Sequence, residues 1–346
     1  MTDMLVRTTR HAEVGLTDEQ VWRMYRFMRL ARLLDDRMWL LNRQGVGHFA
    51  VPGNGHEAVA VGYAMALRPG HDWLAPHYRD LAGLLLIGMT PEEVMHNYFA
   101  TAADVAGAGR QNYAHWGHRP LRIKTLSSPQ GPHVPHGVGI AHACKLRTLD
   151  EVVWIGYGDG TSSKGDVHEA LNFAAIHKLP CVFCCENNGY AISVDQKHQM
   201  AVENVADRAV GYGIPGVVVD GTDPLAVFAV AIEAIARARR GEGPSLIEAK
   251  CIRLLPHTSN DDDRHYRSKE ELAADRARDP IDRFRQYLIS VGLNDEEREA
   301  GLQHELDRLV EAAAAVARQS PAAPGADGRC HVYADDSLVD EQGFYR

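Results

Sequence analysis

The sequence predicts an α/β protein: a parallel sheet flanked by helices, with helical N-terminal and C-terminal extensions. Two observations carry this. Four short apolar runs, at residues 152–157, 181–185, 216–219 and 246–250, have the length of strands. Helical patterns stand between them, one over about residues 165–178 and one that Pro224 starts and Gly241 stops. Apolar strands alternating with helices imply a parallel sheet covered on both faces. Sheets of that kind bind their ligands beyond the carboxyl ends of the strands.

Upstream of the first run, Thr17 and Gln20 form a capping box. The helix that follows, to about Asn42, places Val21, Met24, Met28, Ala31, Leu34, Met38 and Leu41 on one stripe. A Gly-rich loop spans residues 45–55, and a second helix is expected over 57–67. Thr90-Pro91-Glu92-Glu93 is another helix start, with cap, proline and acid in the first turn. Beyond Asp279-Pro280 the pattern is helical and polar. Residues 312–328, rich in Ala, Pro and Gly, read as a flexible linker. The chain thus divides into a flexible arm (1–15), a single α/β domain with N-terminal helices (16–290), and a helical tail with a linker (291–346).

At 346 residues and 45% hydrophobic, the chain can bury a sizeable core. A net charge of −9 argues against nucleic acid or an anionic membrane as partner. No apolar stretch is long enough to span a bilayer, and the first 15 residues lack an apolar signal region, so a cytoplasmic protein is expected. Cys181 and Cys184 form a CxxC, but no second Cys or His pair completes four zinc ligands; buried strand cysteines are the expectation. His56-Glu57 and His168-Glu169 begin like HExxH, but the fifth residues are Ala60 and Asn172.

The chemistry concentrates at two strand ends. The first run ends in Gly156-Tyr157-Gly158-Asp159-Gly160 and the second in Glu186-Asn187-Asn188-Gly189-Tyr190. Parallel strands share an end, so both segments leave the sheet at one edge. Asp159 offers a hard anionic oxygen and Asn188 a neutral one. Glycines let the backbone close on a ligand, and the helix after Gly165 adds its positive end. Such an oxygen set suits Mg2+ or Ca2+ and leaves positions open for phosphate oxygens. The residues alone therefore point to a diphosphate clamped through a divalent ion, against the plain alternative of two polar turns. The dinucleotide pattern GxGxxG fails in both registers, at Thr161 and Ser163, and no P-loop is present.

Gly158-Asp159-Gly160, followed at the end of the next run by Asn187-Asn188, resembles the cofactor motif of thiamine-diphosphate enzymes. The spans 158–180 and 186–193 closely resemble alpha subunits of 2-oxo acid dehydrogenases, and the likeness extends over about residues 16–288. Gly55-His56-Glu57-Ala58, Tyr78-Arg79-Asp80 and Pro256-His257-Thr258-Ser259 fall in family order. The resemblance is best to the bacterial branched-chain type. It implies the thiamine-diphosphate-binding fold, with thiamine diphosphate and Mg2+ as cofactors. By the same resemblance Asp159, Asn188 and the Tyr190 carbonyl hold the metal, and Tyr78 and Arg79 reach the diphosphate. Gly158, Gly160 and Thr161 line the diphosphate, and Phe49 lines the cofactor site. Ser128 and Gln130 lie in the loop that meets the aminopyrimidine, and His257 faces the reacting carbon as the catalytic residue.

The implied activity is oxidative decarboxylation of a 2-oxo acid, of the 3-methyl-2-oxobutanoate type, with acyl transfer to a lipoyl group. Pyruvate or acetoin dehydrogenase alpha subunits are the alternative within this chemistry, and a non-catalytic Mg-nucleotide module is the alternative outside it. The family draws the carboxylate that activates the cofactor from a second domain, and this chain has one αβ array. The resemblance thus implies a beta subunit in an α2β2 heterotetramer, and a lipoyl acyltransferase as the next component. Five positions depart from the family pattern. Gln130 replaces an apolar residue, Lys164 an acidic one and Leu255 a glycine, and Pro132-His133 replace potassium ligands, so no potassium is expected.

Overall fold

The structure, a computed structural model, describes residues 11–329. Five parallel strands form the sheet: β1 (Trp73–Ala75), β2 (Val153–Gly158), β3 (Cys181–Asn187), β6 (Gly216–Asp220) and β7 (Ser245–Lys250), in the order β1-β2-β3-β7-β6. A short antiparallel pair, β4 (Tyr190–Ala191) and β5 (Val194–Asp195), stands beyond the end of β3. The four expected runs are β2, β3, β6 and β7. The edge strand β1 was not expected, because three residues carry no period to read.

Side chains alternate along the strands and divide the interior into two cores. Trp154, Val182 and Cys184 pack on one face of the sheet, while Val153, Ile155, Tyr157, Cys181, Phe183 and Cys185 pack on the other. The first face is covered by α1 (Asp18–Arg43), α2 (Glu57–Ala66), α3 (Leu81–Ile87), α4 (Pro91–Tyr98) and, later in the chain, α8 (Pro224–Arg239). The second face takes α5 (His133–Leu146), α6 (Gly165–Ile176) and the short α7 (Ala209–Tyr212). Then come α9 (Lys269–Arg276), α10 (Pro280–Ser290) and α11 (Glu296–Gln319).

The capping box of α1 forms as read: the Thr17 hydroxyl accepts from the Gln20 N–H at 3.2 Å, and the Gln20 side chain accepts from the Thr17 N–H at 2.8 Å. All seven residues of the expected stripe are buried. The cysteines of β3 are wholly buried and unpaired, and burial pushes their thiols up, which disfavours the reactive thiolate.

The tail differs from expectation. Residues 312–319 are not linker but the end of α11, whose Leu302, Leu306, Val310, Ala313, Ala314 and Ala317 make a buried stripe at helical spacing. Alanine is the best helix former and leaves room for close packing, so a run that reads as low complexity is here a helix–helix contact. Arg26–Glu305 and Arg37–Glu311 bridges, at 2.6 and 2.9 Å, tie α11 to α1. The expected flexible arm lies mostly outside the described residues; within them, the His11 N–H donates to the Tyr287 hydroxyl at 3.0 Å. The end of the expected C-terminal segment, from residue 330, also lies outside them.

The Gly-rich loop before α2 is held from below. Asp35 of α1, wholly buried, accepts the Gly53 N–H at 2.8 Å, and burial raises its pKa to about 8. Glu57 accepts the Gly55 N–H at 2.7 Å and pairs with Arg32 at 2.6 Å. Gly55 has φ +101°, and a Cβ there would stand 2.3 Å from the Ile252 carbonyl oxygen. Strain and overlap each cost about 1–3 kcal/mol. Gly55→Ala is therefore expected to lose at least about 2 kcal/mol of stability, read as an earlier midpoint in urea unfolding; an unchanged midpoint would show that the loop relaxes freely.

Candidate active site

The registers fix where the chemistry can occur. Gly158 of β2 lies beside Glu186 of β3, and Glu186 beside Ala249 of β7, so three strands end at one level. Asp159 and Asn188 follow these ends directly. The edge strand β1 runs in register to Ala75 opposite Ile155 and then delivers His77, Tyr78 and Arg79 to the same edge. The segment after β7 returns with His257.

At this edge lies a cavity of about 490 Å3, within the range of small-molecule and cofactor sites. Phe49, Tyr78, Ser128, Gln130, Gly158, Asp159, Gly160, Thr161, Asn188, Tyr190 and His257 all line it. Of the residues singled out in the sequence, Arg79 alone does not. Its guanidinium is buried behind His257, donating to the His257 ring at 3.0 Å, to the His257 carbonyl at 3.1 Å and to the Pro52 carbonyl. As arranged, Arg79 braces His257 instead of facing the cavity.

That brace sets the state of His257. A guanidinium only donates, so Nδ1 of His257 must be the bare nitrogen and the ring hydrogen stands on Nε2. Burial, with Arg79 and Arg253 close by, lowers its pKa to about 3, so the ring is neutral at physiological pH. Its backbone N–H donates to Asp261 at 2.9 Å.

The metal-like oxygens are also set. Asp159 is 2% exposed, and its carboxylate takes one hydrogen bond, from the Gln199 amide at 3.1 Å. No Lys or Arg pairs with it among the described residues, and burial raises its pKa. A buried carboxylate without a cation is costly, which favours a cation here. Asn188 donates its amide hydrogen to His56 Nε2 at 3.1 Å and accepts the Tyr190 N–H at 3.2 Å. His56 thereby fixes which end of that amide presents its oxygen. A Cβ on Gly160 would stand 2.6 Å from that of Ala191, so only glycine leaves this cradle open. Hard oxygens from Asp159 and Asn188 beside such a cradle fit a divalent cation carrying phosphates. Across the cavity Ser128 Oγ meets His115 Nε2 at 2.6 Å, and Gln130 Oε1 is buried without a partner. His133, at one of the departing positions, lies within 2.9 Å of the Gly156 carbonyl through Nε2 and ties α5 to β2.

Sequence reading missed several lining residues: His77, Asn112, Tyr113, His115 and Ile192. His77 stood next to the motif Tyr78-Arg79, and that adjacency was the available signal. Asn112 to His115 sit in an irregular segment without period. Ile192, with φ +59°, is a β-branched residue in the left-handed region, a strain of the kind that gathers at functional sites; the Arg253 guanidinium donates to its carbonyl at 2.9 Å.

Comparison with known proteins agrees with this geometry. The family model of the dehydrogenase E1 component matches residues 25–325. The chain is 47% identical to the 2-oxoisovalerate dehydrogenase subunit alpha of Bacillus subtilis (strain 168) over 327 residues, covering 94% of this chain and 99% of that one. It is 44% identical over 283 residues to the 3-methyl-2-oxobutanoate dehydrogenase subunit alpha of Mycobacterium tuberculosis, covering 80% and 73%. It is 39% identical over 288 residues to the pyruvate dehydrogenase E1 component subunit alpha of Staphylococcus aureus, covering 82% and 74%. A parallel-sheet edge bearing Asp159, Asn188 and His257, in a chain matched along most of its length, places this protein in the dehydrogenase E1 component family.

Proposed function

We propose that this chain is the alpha subunit of the decarboxylating component of a 2-oxo acid dehydrogenase complex, acting on branched-chain 2-oxo acids of the 3-methyl-2-oxobutanoate type. The observation that carries the reading is the cavity itself: hard oxygens at the ends of β2 and β3 face a neutral His257 across one space. Among the bacterial relatives, the two named for branched-chain substrates are more similar than the one named for pyruvate, at 47% and 44% identity against 39%. A substrate panel decides between them.

Asp159, Asn188 and the Tyr190 carbonyl would hold Mg2+, and Gly158, Gly160 and Thr161 would line the diphosphate of thiamine diphosphate, with Tyr78 beside it. Phe49 would flank the cofactor, and Ser128 and Gln130 would meet its pyrimidine side. Once bound, thiamine diphosphate supplies the electron sink that lets a 2-oxo acid lose CO2. The chain's own residues do the rest. His257 would offer an N–H at Nε2 to the substrate carboxylate and so orient the substrate. Arg79 holds the ring in that tautomer. Phe49, Val51 and Tyr113 give the cavity apolar walls that exclude water.

The second half of the site would come from a beta subunit, in an α2β2 heterotetramer that hands the acyl group to a lipoyl acyltransferase. Among the described residues there is one sheet large enough to carry a site, and no glutamate lines the cavity. The apolar face for that partner is not the front helix, because the α1 stripe is covered from within the chain. It fits the outward side of α5 and α6, where Leu146 is 73% and Ile176 67% exposed, with Phe173 nearby. Residues 16–290 act as the cofactor domain, braced by α11. No described helix is long and apolar enough to cross a membrane, and unpaired buried cysteines suit the reducing cytoplasm.

Three outcomes follow. Asp159→Ala should weaken Mg2+-dependent thiamine diphosphate binding by more than about 100-fold, since even outer-shell changes at metal sites cost that much. Calorimetry giving wild-type affinity in this variant, or in chelator, refutes the assignment. His257→Ala should spare cofactor affinity while lowering turnover about 100-fold or more. Full activity of the assembled complex would make His257 structural. The purified chain alone should not decarboxylate a 2-oxo acid in an artificial-acceptor assay, and a cognate beta subunit should restore activity. Robust turnover by this chain alone would show that it carries its own activating carboxylate.

A further inference from the structure

Behind the Gly158 turn lies a buried cluster that the reading above does not use. His56, His77, Asp80 and Glu186 are each 0–1% exposed. His56 Nδ1 and His77 Nδ1 both meet Glu186 Oε2, at 2.7 and 3.2 Å, and the two rings stack at 5.7 Å. The His77 backbone N–H donates to Asp80 at 2.7 Å.

Two histidines and a carboxylate are metal-ligand types, and their ligand atoms lie within 4.8 Å of one another. The spacing argues against an ion. Ligands at about 2.0–2.2 Å around a tetrahedral metal stand more than about 3 Å apart, whereas His56 and Glu186 are already in hydrogen-bond contact. Asn188 also occupies the other nitrogen of His56. The cluster is thus a hydrogen-bonded support in which Asp80 Oδ1, Glu186 Oε1 and His77 Nε2 have no partner among the described residues, and of these three residues only His77 lines the cavity. Nε2 of His77 is buried and has no partner in the protein. His77 lines the cavity, and Nε2 would stand 3.3 Å from a Cβ on Gly158, directly against the Gly158-Asp159-Gly160 turn. A buried polar atom without a partner costs about 1–3 kcal/mol. A fixed N–H aimed at a ligand's oxygen recovers that cost.

We infer that His77 is a ligand-binding residue of this site, its ring carrying both hydrogens once the anionic diphosphate is seated on the Gly158 turn: Nδ1–H donates to Glu186 and Nε2–H to a phosphate oxygen, while Asp80 holds the His77 backbone. The inference rests on the thiamine diphosphate reading and adds to it a direct contact from the loop after β1. Gly158 is then required twice, to let the backbone approach and to leave Nε2 uncovered. Glu186 has a definite task as well: through His56 it orients Asn188, and through His77 it orients a phosphate donor.

The test compares wild type, His77→Phe and His77→Gln, each assembled with the beta subunit. Phe keeps the ring volume and lacks the donor; Gln keeps a donor. Calorimetric titrations use thiamine diphosphate, and separately inorganic pyrophosphate, at saturating Mg2+. His77→Phe should weaken both probes by about 10- to 100-fold, the loss of a hydrogen bond to a charged group, and His77→Gln should recover most of that loss. Wild-type affinity in the Phe variant overturns the inference, as does a Gln variant no better than Phe, which would mark His77 as packing alone. A crystal structure of the wild-type complex with Mg2+ and thiamine diphosphate decides the point even if a variant fails to fold. Nε2 within hydrogen-bond reach of a phosphate oxygen supports the inference, and Nε2 beyond that reach overturns it. Wild type that binds no thiamine diphosphate overturns the functional reading and the inference with it, whereas wild-type binding that the Phe variant matches overturns the inference alone.

Discussion

The register that sets Gly158 beside Glu186 is the constraint on which the site depends. A parallel ladder allows no adjustment of one residue, because a slip would turn every side chain to the opposite face. Trp154 and Ile155 already belong to different cores, as do Cys184 and Cys185, so the packing of both faces locks the pairing of β2 with β3. Asp159 and Asn188 then leave the sheet together, and the oxygen set follows from hydrophobic burial some residues away. The same ladder carries β1 and β7 to a common edge, which is why His77 and His257, far apart in sequence, share one cavity.

The electrostatics of that edge are economical. Arg79 is buried, and its hydrogen bonds go to the His257 ring and backbone. This makes a cation serve as a clamp on a neutral base. Among the described residues no Lys or Arg pairs with Asp159. Glu186 meets two histidines from two different elements. Each buried charge is thus either spent on orienting a neighbour or left facing the cavity, which is how a site keeps its geometry fixed before a ligand arrives.

The helical periphery has a related purpose. The α1 helix carries Asp35, which pins the Gly53 loop, and α11 packs against α1 with an alanine-rich stripe. Rigidity passes from tail to front helix to the Gly-rich loop that bears Phe49 and leads to His56. The outward side of α5 and α6 has no such cover, with Leu146 and Ile176 largely exposed.

Much of this was legible in the residues. Strand-length apolar runs split by helices gave the sheet, a capping box gave the start of α1, a cap followed by proline and acid gave that of α4, and glycine, aspartate and asparagine at two strand ends gave the metal-like oxygens. These are local signals: period, cap and turn chemistry act over a few residues, and sequence order preserves them. The β1 strand was too short to show a period, and the alanines of 312–319 resembled a linker because composition does not reveal what a helix packs against. Arg79 was placed on the diphosphate by family order, yet its guanidinium points to His257, because the direction of a long side chain is settled by what surrounds it. The convergence of His56, His77 and Glu186 was invisible, since hydrogen bonds between residues more than a hundred positions apart exist only once the sheet forms. The sequence by itself determined which elements form and which chemical groups stand at their ends; the tertiary structure alone decided which groups meet, which nitrogen of His257 keeps its hydrogen, and which atom of His77 is left for a ligand, because those follow from register and burial.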